Sequence, residues 1–276
     1  MNDPYNDLRS LARKVRLDII DLAFRCDGPA HLGGALSIVE ILAFLYGKEM
    51  KHSSKNPAWD NRDRFILSKG HGVLAFYSIL YQSGYISREK LLSFKRDGGD
   101  LMAHPIMNLN LGIESSNGSL GHGLSMSVGI AWALKKKQLS SRVFTILGDG
   151  ECDEGSVWEA AMSATRFQLN NLVAFIDCNG FQSDGVIGNS NSASIMELKW
   201  KAQGWDTFII DGHSFEELNT AINSQSNRVP SLKPKAIIAC TKKGKGVSFM
   251  ENDNAWHHNR LTSTIYERAR SEITGE

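Results

Sequence analysis

The chain has 276 residues, of which 42% are hydrophobic and 22% are charged. This composition is typical of a globular protein, and the length is sufficient for a sizeable hydrophobic core. The 31 basic residues nearly balance the 30 acidic residues, so the net charge is +1. Without a basic surplus for a polyanion, we expect neither a nucleic-acid partner nor a membrane partner.

The N-terminal seven residues, MNDPYND, lack the basic and apolar regions of a signal peptide. No run of about 18 apolar residues occurs in the sequence, so we expect a cytoplasmic protein. The four cysteines are far apart and form no C-x-x-C pair, which predicts neither a zinc site nor a disulfide framework. We expect reduced thiols in or near the core at Cys26, Cys152, Cys178 and Cys240.

The first third of the chain is predicted to be mainly helical. Apolar residues at helical spacing predict helices over residues 8–26 and 37–46, followed by a polar connection over residues 52–62. Residues 65–67 are a short strand candidate, and the pattern is again helical from residue 73 to about residue 100.

Strands and helices alternate after residue 120, which predicts a parallel sheet flanked by helices. The predicted strands cover residues 143–147, 172–177, 207–210 and 236–241. The predicted helices cover residues 124–137, 156–167, 193–202 and 215–224. The fold class is therefore α/β, a doubly wound and mostly parallel sheet with helices on both faces. A helical N-terminal portion is expected to pack on this sheet, and residues 1–276 are expected to form one domain.

Four carboxylates lie within the six positions 149–154, close behind one predicted strand, at Asp149, Glu151, Asp153 and Glu154. Like charges at the end of a buried strand repel one another unless a cation, a proton or a partner offsets them. We therefore expect a positive or protonated group close to this segment.

Asp149 and Asn179 each follow a predicted strand, and 28 residues separate Gly150 from Asn179. In open parallel sheets ligands bind beyond the C-terminal ends of the strands, so both side chains can reach one point. Carboxylate and amide oxygens suit Mg²⁺ or Ca²⁺, and Mg²⁺ commonly keeps phosphate oxygens as further ligands. Asp-Gly and Asn-Gly are also ordinary turn pairs. Together, at this spacing, they favour a metal and phosphate site.

A Gly-Asp-Gly segment followed after just under thirty residues by Asn resembles the thiamine diphosphate motif. Residues 154–160 (EGSVWEA) resemble transketolase in particular. The similarity runs from about residue 10 to about residue 260. Further transketolase-like segments are residues 30–34 (AHLGG), 67–72 (LSKGHG), 103–105 (AHP), 118–123 (GSLGHG), 244–246 (GKG) and 256–257 (WH).

The resemblance implies thiamine diphosphate as cofactor, with Mg²⁺, Ca²⁺ or Mn²⁺ bound to its diphosphate. It assigns the metal to Asp149, Asn179 and the backbone carbonyl of Phe181. It assigns contacts with the cofactor to His71, Gly118, Leu120, Gly150, Glu154, Asn179 and His257. The glycine-rich start of the helix near residue 120 could alternatively form a phosphate cradle.

The resemblance also implies that His31, His71 and His104 are catalytic residues, which handle hydroxyl and aldehyde protons. Imidazole suits such transfers near neutral pH, although a lone loop histidine is often only a structural residue. His122 and His258 are left open between the two roles. His52 and His213 are interpreted as structural.

Glu154 would be a catalytic acid that faces, across the cofactor cleft, an activating glutamate of a partner subunit. A carboxylate at the start of a helix is also favoured by the helix dipole, and both explanations can hold. Glu151 and Asp153 match no ligand of the family, so we expect them in solvent or at an interface.

In transketolases the activating glutamate and the basic residues that grip the sugar phosphate belong to later domains, whereas this sequence stops at Glu276. The resemblance therefore implies the N-terminal subunit of a split transketolase, paired with a separate C-terminal subunit in an α₂β₂ assembly. It would transfer a two-carbon ketol unit from a ketose or ketose phosphate to an aldose or aldose phosphate. Leu32 departs from the family, in which Pro commonly follows the first histidine.

Three alternatives remain. The chain could be the α subunit of a 2-oxo acid dehydrogenase, half of a deoxyxylulose phosphate synthase, or a non-catalytic regulatory or assembly subunit. Residues 68–72 and 154–160 favour transketolase over the first two. The intact pair of Asp149 and Asn179 argues against the third, since an assembly subunit need not keep a metal site.

Overall fold

A five-stranded parallel sheet forms the centre of the computed structural model, which describes residues 3–26, 28–224 and 231–275. Two very short antiparallel strands, Phe181–Gln182 and Gly185–Val186, form a separate hairpin. The strands are β1 Arg64–Leu67, β2 Val143–Gly148, β3 Leu172–Cys178, β4 Phe181–Gln182, β5 Gly185–Val186, β6 Asp206–Asp211 and β7 Lys235–Cys240. The order across the sheet is β1-β2-β3-β7-β6, which makes β2, β3 and β7 the interior strands.

Helices cover both faces of this sheet. Alternate residues of β3 contact opposite cores: Val173 and Phe175 face one, and Ala174 and Ile176 face the other. The helices are α1 Asn6–Arg25, α2 Gly33–Leu36, α3 Val39–Phe44, α4 Val73–Gln82, α5 Arg88–Leu92, α6 His122–Lys136, α7 Gly155–Arg166, α8 Ala193–Ala202, α9 Phe215–Asn223 and α10 Ser263–Thr274. The predicted fold class is confirmed.

The first core contains α1, α3, α4 and α9, and the second contains α6, α7 and α8. Strand β2 is buried throughout, and β3 is buried from its first residue to Asp177, as expected where helices cover both faces of a parallel sheet. The N-terminal helices therefore pack on the sheet, as the sequence predicts. None of the helices in the described ranges is long and apolar enough to cross a membrane.

The helix predicted over residues 37–46 begins later than expected, as α3 at Val39. The hydroxyl of Ser37 donates to the carbonyl of Gly34 at 3.1 Å, and α2 ends there before α3 starts at Val39. Serine side chains compete in this way with helical hydrogen bonding. A π-helical turn, Leu45–Glu49, then follows α3.

Cys152, Cys178 and Cys240 are free thiols. Cys26 and Cys152 are buried and Cys178 is partly buried, in agreement with the prediction of core or near-core positions. The prediction is wrong for Cys240, the last residue of β7, which is exposed.

Candidate active site

A cleft of about 450 Å³ opens at the C-terminal ends of β2 and β3. Gly148, at the end of β2, pairs in register with Asp177 of β3, so the loops that follow both strands start side by side. All eleven site residues predicted from the sequence line this one cleft: His31, His71, His104, Gly118, Leu120, Asp149, Gly150, Glu154, Asn179, Phe181 and His257.

Asp149 lies at the bottom of the cleft, and only 2% of its surface is exposed. Its carboxylate accepts hydrogen bonds from the backbone N–H groups of Gly150 at 2.9 Å and Gly180 at 2.8 Å. Burial and the neighbouring Asp177 raise the pKa of Asp149 to about 7. Nearby positive charge therefore does not offset the free-energy cost of ionising this buried carboxylate.

Asn179 is oriented by hydrogen bonds at both ends of its amide. Its Nδ2 donates to Asp177 Oδ2 at 2.8 Å, and its Oδ1 accepts from the N–H of Phe181 at 3.1 Å. Gly180 between them has a φ of +80°, a conformation that glycine adopts without strain. The loop after β3 is thus tied to the loop after β2 through Gly180 and Asp149.

Asp177 is a central buried residue that the sequence analysis did not single out. It is fully buried, forms an ion pair with Lys69, and accepts hydrogen bonds from Ser37 and Thr241 besides that from Asn179. Burial opposes its ionisation, but the ammonium of Lys69 and these hydrogen bonds lower its pKa. The sequence does contain a signal for this role, because Asp177 is a charged residue at the end of an otherwise apolar predicted strand.

Four histidine rings surround His31. Ring-centroid distances from His31 are 5.6 Å to His71, 6.0 Å to His104, 5.4 Å to His257 and 4.4 Å to His258. Burial and the neighbouring rings lower the pKa of His31 to about 3. Burial, with Lys243 and Lys69 nearby, lowers the pKa of His257 to about 4.

Burial also lowers the pKa of His71 and of His104. The imidazoles of His31, His71, His104 and His257 are therefore neutral near pH 7. Each neutral ring offers one N–H donor and one acceptor nitrogen. The cluster can both accept a proton and donate one.

The remaining four histidines differ in exposure and in hydrogen bonding. His258 is exposed and packs against His31, whereas His122 is an exposed first residue of α6 outside the cleft. His52 bonds to Tyr46 and Tyr85. His213 bonds to Glu40 and the N–H of Lys242. The hydrogen bonds of His52 and His213 suit the structural roles predicted for them.

Lys243 is a second buried cation that the sequence analysis missed. Its Nζ donates to Asn254 Oδ1 at 2.6 Å and lies 3.0 Å from Nδ1 of His257. Burial and the charge of Lys69 lower the pKa of Lys243 to about 8. Two lysines, Lys69 and Lys243, thus place positive charge next to the cleft, where an anionic group would offset their burial.

Glu151 is buried, so its predicted placement in solvent or at an interface is wrong. Its carboxylate turns back beneath the strand end and accepts hydrogen bonds from Ser68, Gly121 and Gly148. Burial raises the pKa of Glu151. Asp153 is exposed, as expected, and accepts a hydrogen bond from Asn191 at 2.7 Å.

Glu154 is exposed at the N-cap of α7 and lines the cleft, although its side chain caps no N–H group of the helix. Its carboxylate is therefore available to a ligand or to a second protein at the cleft. The helix dipole of α7 also favours a carboxylate at this end.

The segment before α6 brings backbone to the cleft. Gly121 has a φ of +81°, and a Cβ atom there would lie 2.7 Å from Cβ of Glu154. A Cβ at Gly118 would lie 3.6 Å from the ring of His104. Because the N–H of Gly121 is already bonded to the carboxylate of Glu151, that amide is not available for a phosphate cradle.

Comparison with known proteins agrees with this geometry. Residues 8–273 match the family described as transketolase, thiamine diphosphate binding domain. The chain is 43% identical to a 6-deoxy-6-sulfo-D-fructose transketolase subunit of Clostridium sp. (strain MSTE9), over 100% of this chain and 99% of that protein. It is 38% identical to an apulose-4-phosphate transketolase subunit of Phocaeicola vulgatus, over 95% of this chain and 92% of that protein.

The crystal structure of transketolase from Campylobacter jejuni has the same fold, with a TM-score of 0.85 and 30% sequence identity. That match covers 99% of this chain but only 43% of the solved chain, so the present sequence spans less than half of that transketolase. Because the family match takes in nearly the whole sequence, this chain belongs to the transketolase family, as its N-terminal, thiamine diphosphate-binding domain.

Proposed function

We propose that this chain is the N-terminal subunit of a thiamine diphosphate-dependent transketolase. It would transfer a two-carbon ketol unit from a ketose or ketose phosphate to an aldose or aldose phosphate. The observation that carries the proposal is a buried pair, Asp149 and Asn179, that lines one cleft together with a cluster of neutral histidines. The relatives that match over nearly their full length are named as transketolase subunits, which supports it.

The residues at the bottom of the cleft fit a divalent metal. Asp149, Asn179 Oδ1 and the carbonyl of Phe181 would hold Mg²⁺, Ca²⁺ or Mn²⁺, all of which take oxygen ligands. The raised pKa of Asp149 supports this assignment, because a cation would favour the charged form of that carboxylate. The hydrogen bond from Asn179 to Asp177 would keep the amide oxygen turned toward the metal.

The surrounding groups fit a diphosphate. Gly150 would contact it through the backbone, and His71 and His257 through their rings, while Lys69 and Lys243 would supply nearby positive charge. Gly118, Leu120 and Glu154 would lie beside the two rings of the cofactor. When bound, thiamine diphosphate supplies the carbanion chemistry that breaks and forms the carbon–carbon bond beside a carbonyl group.

His31, His71 and His104 would move protons at the hydroxyl and carbonyl oxygens of the sugars. Their lowered pKa values keep these rings neutral, so each can accept a proton from a hydroxyl and return it to a carbonyl oxygen. His31 lies among the other rings, which limits the orientations available to it.

A separate C-terminal subunit would complete the site. It would contribute the glutamate that activates the cofactor and the basic residues that bind the sugar phosphate, in an α₂β₂ assembly. The exposed Glu154 at the edge of the cleft is placed to meet such a subunit. We also propose that residues 1–276 form one domain and that the protein acts in the cytoplasm.

The experiment that tests this function starts with affinity purification of the tagged chain from its native cells. We expect a subunit of similar size to accompany it, and the complex to transfer ketol units when Mg²⁺ and thiamine diphosphate are present. Donors should include a sulfonated ketose, a ketose phosphate and an unmodified ketose, each tested with an aldose acceptor. Turnover of a 2-oxo acid instead of a ketose would contradict the proposal.

A further inference from the structure

Glu151 is a buried carboxylate for which the proposed reaction has no use. We propose that Glu151 is a positioning residue, which joins the Leu120–Gly121 backbone to the Gly148–Asp149 backbone. It would thereby fix the distance between Leu120, proposed to lie beside the cofactor rings, and Asp149, proposed to hold the metal, before the cofactor binds. The inference rests on the proposed function, because it concerns how this same cleft accepts thiamine diphosphate.

Three hydrogen-bond donors from three separate segments converge on this carboxylate. Oε1 accepts from the hydroxyl of Ser68 at 2.5 Å and from the N–H of Gly121 at 2.9 Å. Oε2 accepts from the N–H of Gly148 at 3.0 Å. Only 2% of Glu151 is exposed, so water cannot easily replace it as the acceptor for these groups.

Each donor stands directly beside a residue assigned to the cleft. Ser68 precedes Lys69, Gly121 follows Leu120, and Gly148 precedes Asp149. A change in the position of Glu151 would therefore be transmitted over one peptide unit to residues that face the cofactor.

The segment around Gly121, which bonds to Glu151, is also tightly packed. A Cβ atom at Gly123 would collide with the side chain of Ser68, and one at Gly121 would lie 2.5 Å from Oγ of Ser156. The hydroxyl of Ser156 donates to the carbonyl of Gly121 at 3.1 Å. The segment is thus wedged between the loop after β1 and the start of α7, and Glu151 bonds it to the end of β2.

Substitution Glu151→Gln tests this role with little change in size. The N–H groups of Gly121 and Gly148 bond to different oxygens of Glu151, and a glutamine in the same orientation has an NH₂ group in place of one of them, so it cannot accept from both. The matched control is Glu267→Gln, because Glu267 is exposed on α10 and does not line the cleft.

The first readout is amide hydrogen exchange in the full chain without cofactor. We expect exchange at Gly121 or Gly148 to become about tenfold faster in Glu151→Gln, since one buried N–H loses its acceptor. Exchange at Gly180, which bonds to Asp149, should stay as in the wild type. Unchanged exchange at both Gly121 and Gly148 would overturn the proposal.

The second readout is the Kd for thiamine diphosphate with Mg²⁺, compared with the Kd for inorganic pyrophosphate with Mg²⁺, in the chain with any subunit that co-purifies. We expect Glu151→Gln to raise the first Kd about tenfold and the second clearly less, because pyrophosphate lacks the rings proposed to lie beside Leu120. Glu267→Gln should change neither. A lower Tm with both Kd values unchanged would make Glu151 a stability residue only.

Two further outcomes remain decisive. If the wild type does not bind thiamine diphosphate, the proposed function fails, while the exchange rates still decide whether Glu151 positions the two segments. If Glu151→Gln does not fold, Ser68→Ala removes one donor at the carboxylate and should raise the Kd for thiamine diphosphate about threefold. An unchanged Kd in Ser68→Ala would then overturn the proposal.

Discussion

The two sides of the cleft are built in different ways. The metal side, at Asp149 and Asn179, comes from the ends of two neighbouring strands and is held by hydrogen bonds to backbone. The histidine side is assembled from four loops that are more than 200 residues apart at their extremes, and its rings contact one another. Paired bonds between Ala30 and Asn259 bring the first and the last of these loops together.

This difference suggests how each side responds to change. Backbone hydrogen bonds and the Lys69–Asp177 ion pair make the metal side rigid, so it should be sensitive to charge. The histidine side depends on burial and ring packing, so it should be sensitive to protonation and to loss of a ring.

Lys69→Met should give the largest effect, because it leaves Asp177 as an unpaired charge in the core. We expect the free energy of unfolding to fall by about 3–5 kcal/mol, measured by urea denaturation. The control is Lys90→Met, which removes an exposed ion pair with Asp100 and should cost at most about 1 kcal/mol. Equal losses of unfolding free energy in the two variants would mean that the Lys69–Asp177 pair stabilises the protein no more than an exposed ion pair does.

Asp149→Ala should weaken binding of thiamine diphosphate with Mg²⁺ on the order of 100-fold or more, because the buried metal ligand is lost. Isothermal titration calorimetry on the complex measures the Kd. Asp7→Asn, an exposed change in the first turn of α1, should leave the Kd unchanged. Wild-type affinity and turnover in Asp149→Ala would instead support a non-catalytic subunit.

His31→Ala and His104→Ala should each lower kcat/KM for ketol transfer by about 100-fold, because a proton-transfer group is removed. The Kd for thiamine diphosphate should change little, since neither ring is assigned to the cofactor. His122→Ala, outside the cleft, serves as the control. Steady-state assays of the reconstituted complex give both constants, and unchanged ketol transfer in both variants would remove the catalytic assignment.

His31 should also make the stability of the protein depend on pH. The pKa of His31 falls from an ordinary 6.5 to about 3 in the folded protein, so between these values the unfolded chain binds more protons at this site. Its contribution is full above pH 6.5 and is lost as the pH falls toward 3.

Urea unfolding of the wild type and His31→Asn across this range measures that contribution. We expect the wild type to lose stability more steeply than His31→Asn as the pH is lowered. His122→Asn should follow the wild type. Parallel curves for His31→Asn and the wild type would show that burial and the neighbouring rings do not hold His31 neutral.

The metal side was the more predictable half. Asp149 and Asn179 follow apolar strands of recognisable length, and parallel strands bring their C-terminal ends to one edge, so their convergence follows from local patterns. The same patterns concealed Asp177, which is the last residue of a predicted strand. They also concealed Glu151, because a run of acidic residues after a strand is usually solvated.

The histidine side could be proposed only from the resemblance of separate segments to transketolase. Nothing in the residues around His31 or His104 predicts that their rings lie 6.0 Å apart. The pairing of Lys69 with Asp177 was equally hidden, since 108 positions separate the two residues in the sequence.

By itself the sequence determined the α/β alternation, the strand ends that carry Asp149 and Asn179, and the family to which the segments point. Apolar periodicity and strand-end composition are local properties, so they can be read without a structure. The tertiary structure alone decided that Glu151 turns inward, that Lys69 neutralises Asp177 and that five histidines share one cluster. Burial and pairing of charges depend on which distant segments the fold brings together, and that information is not present at any single position of the chain.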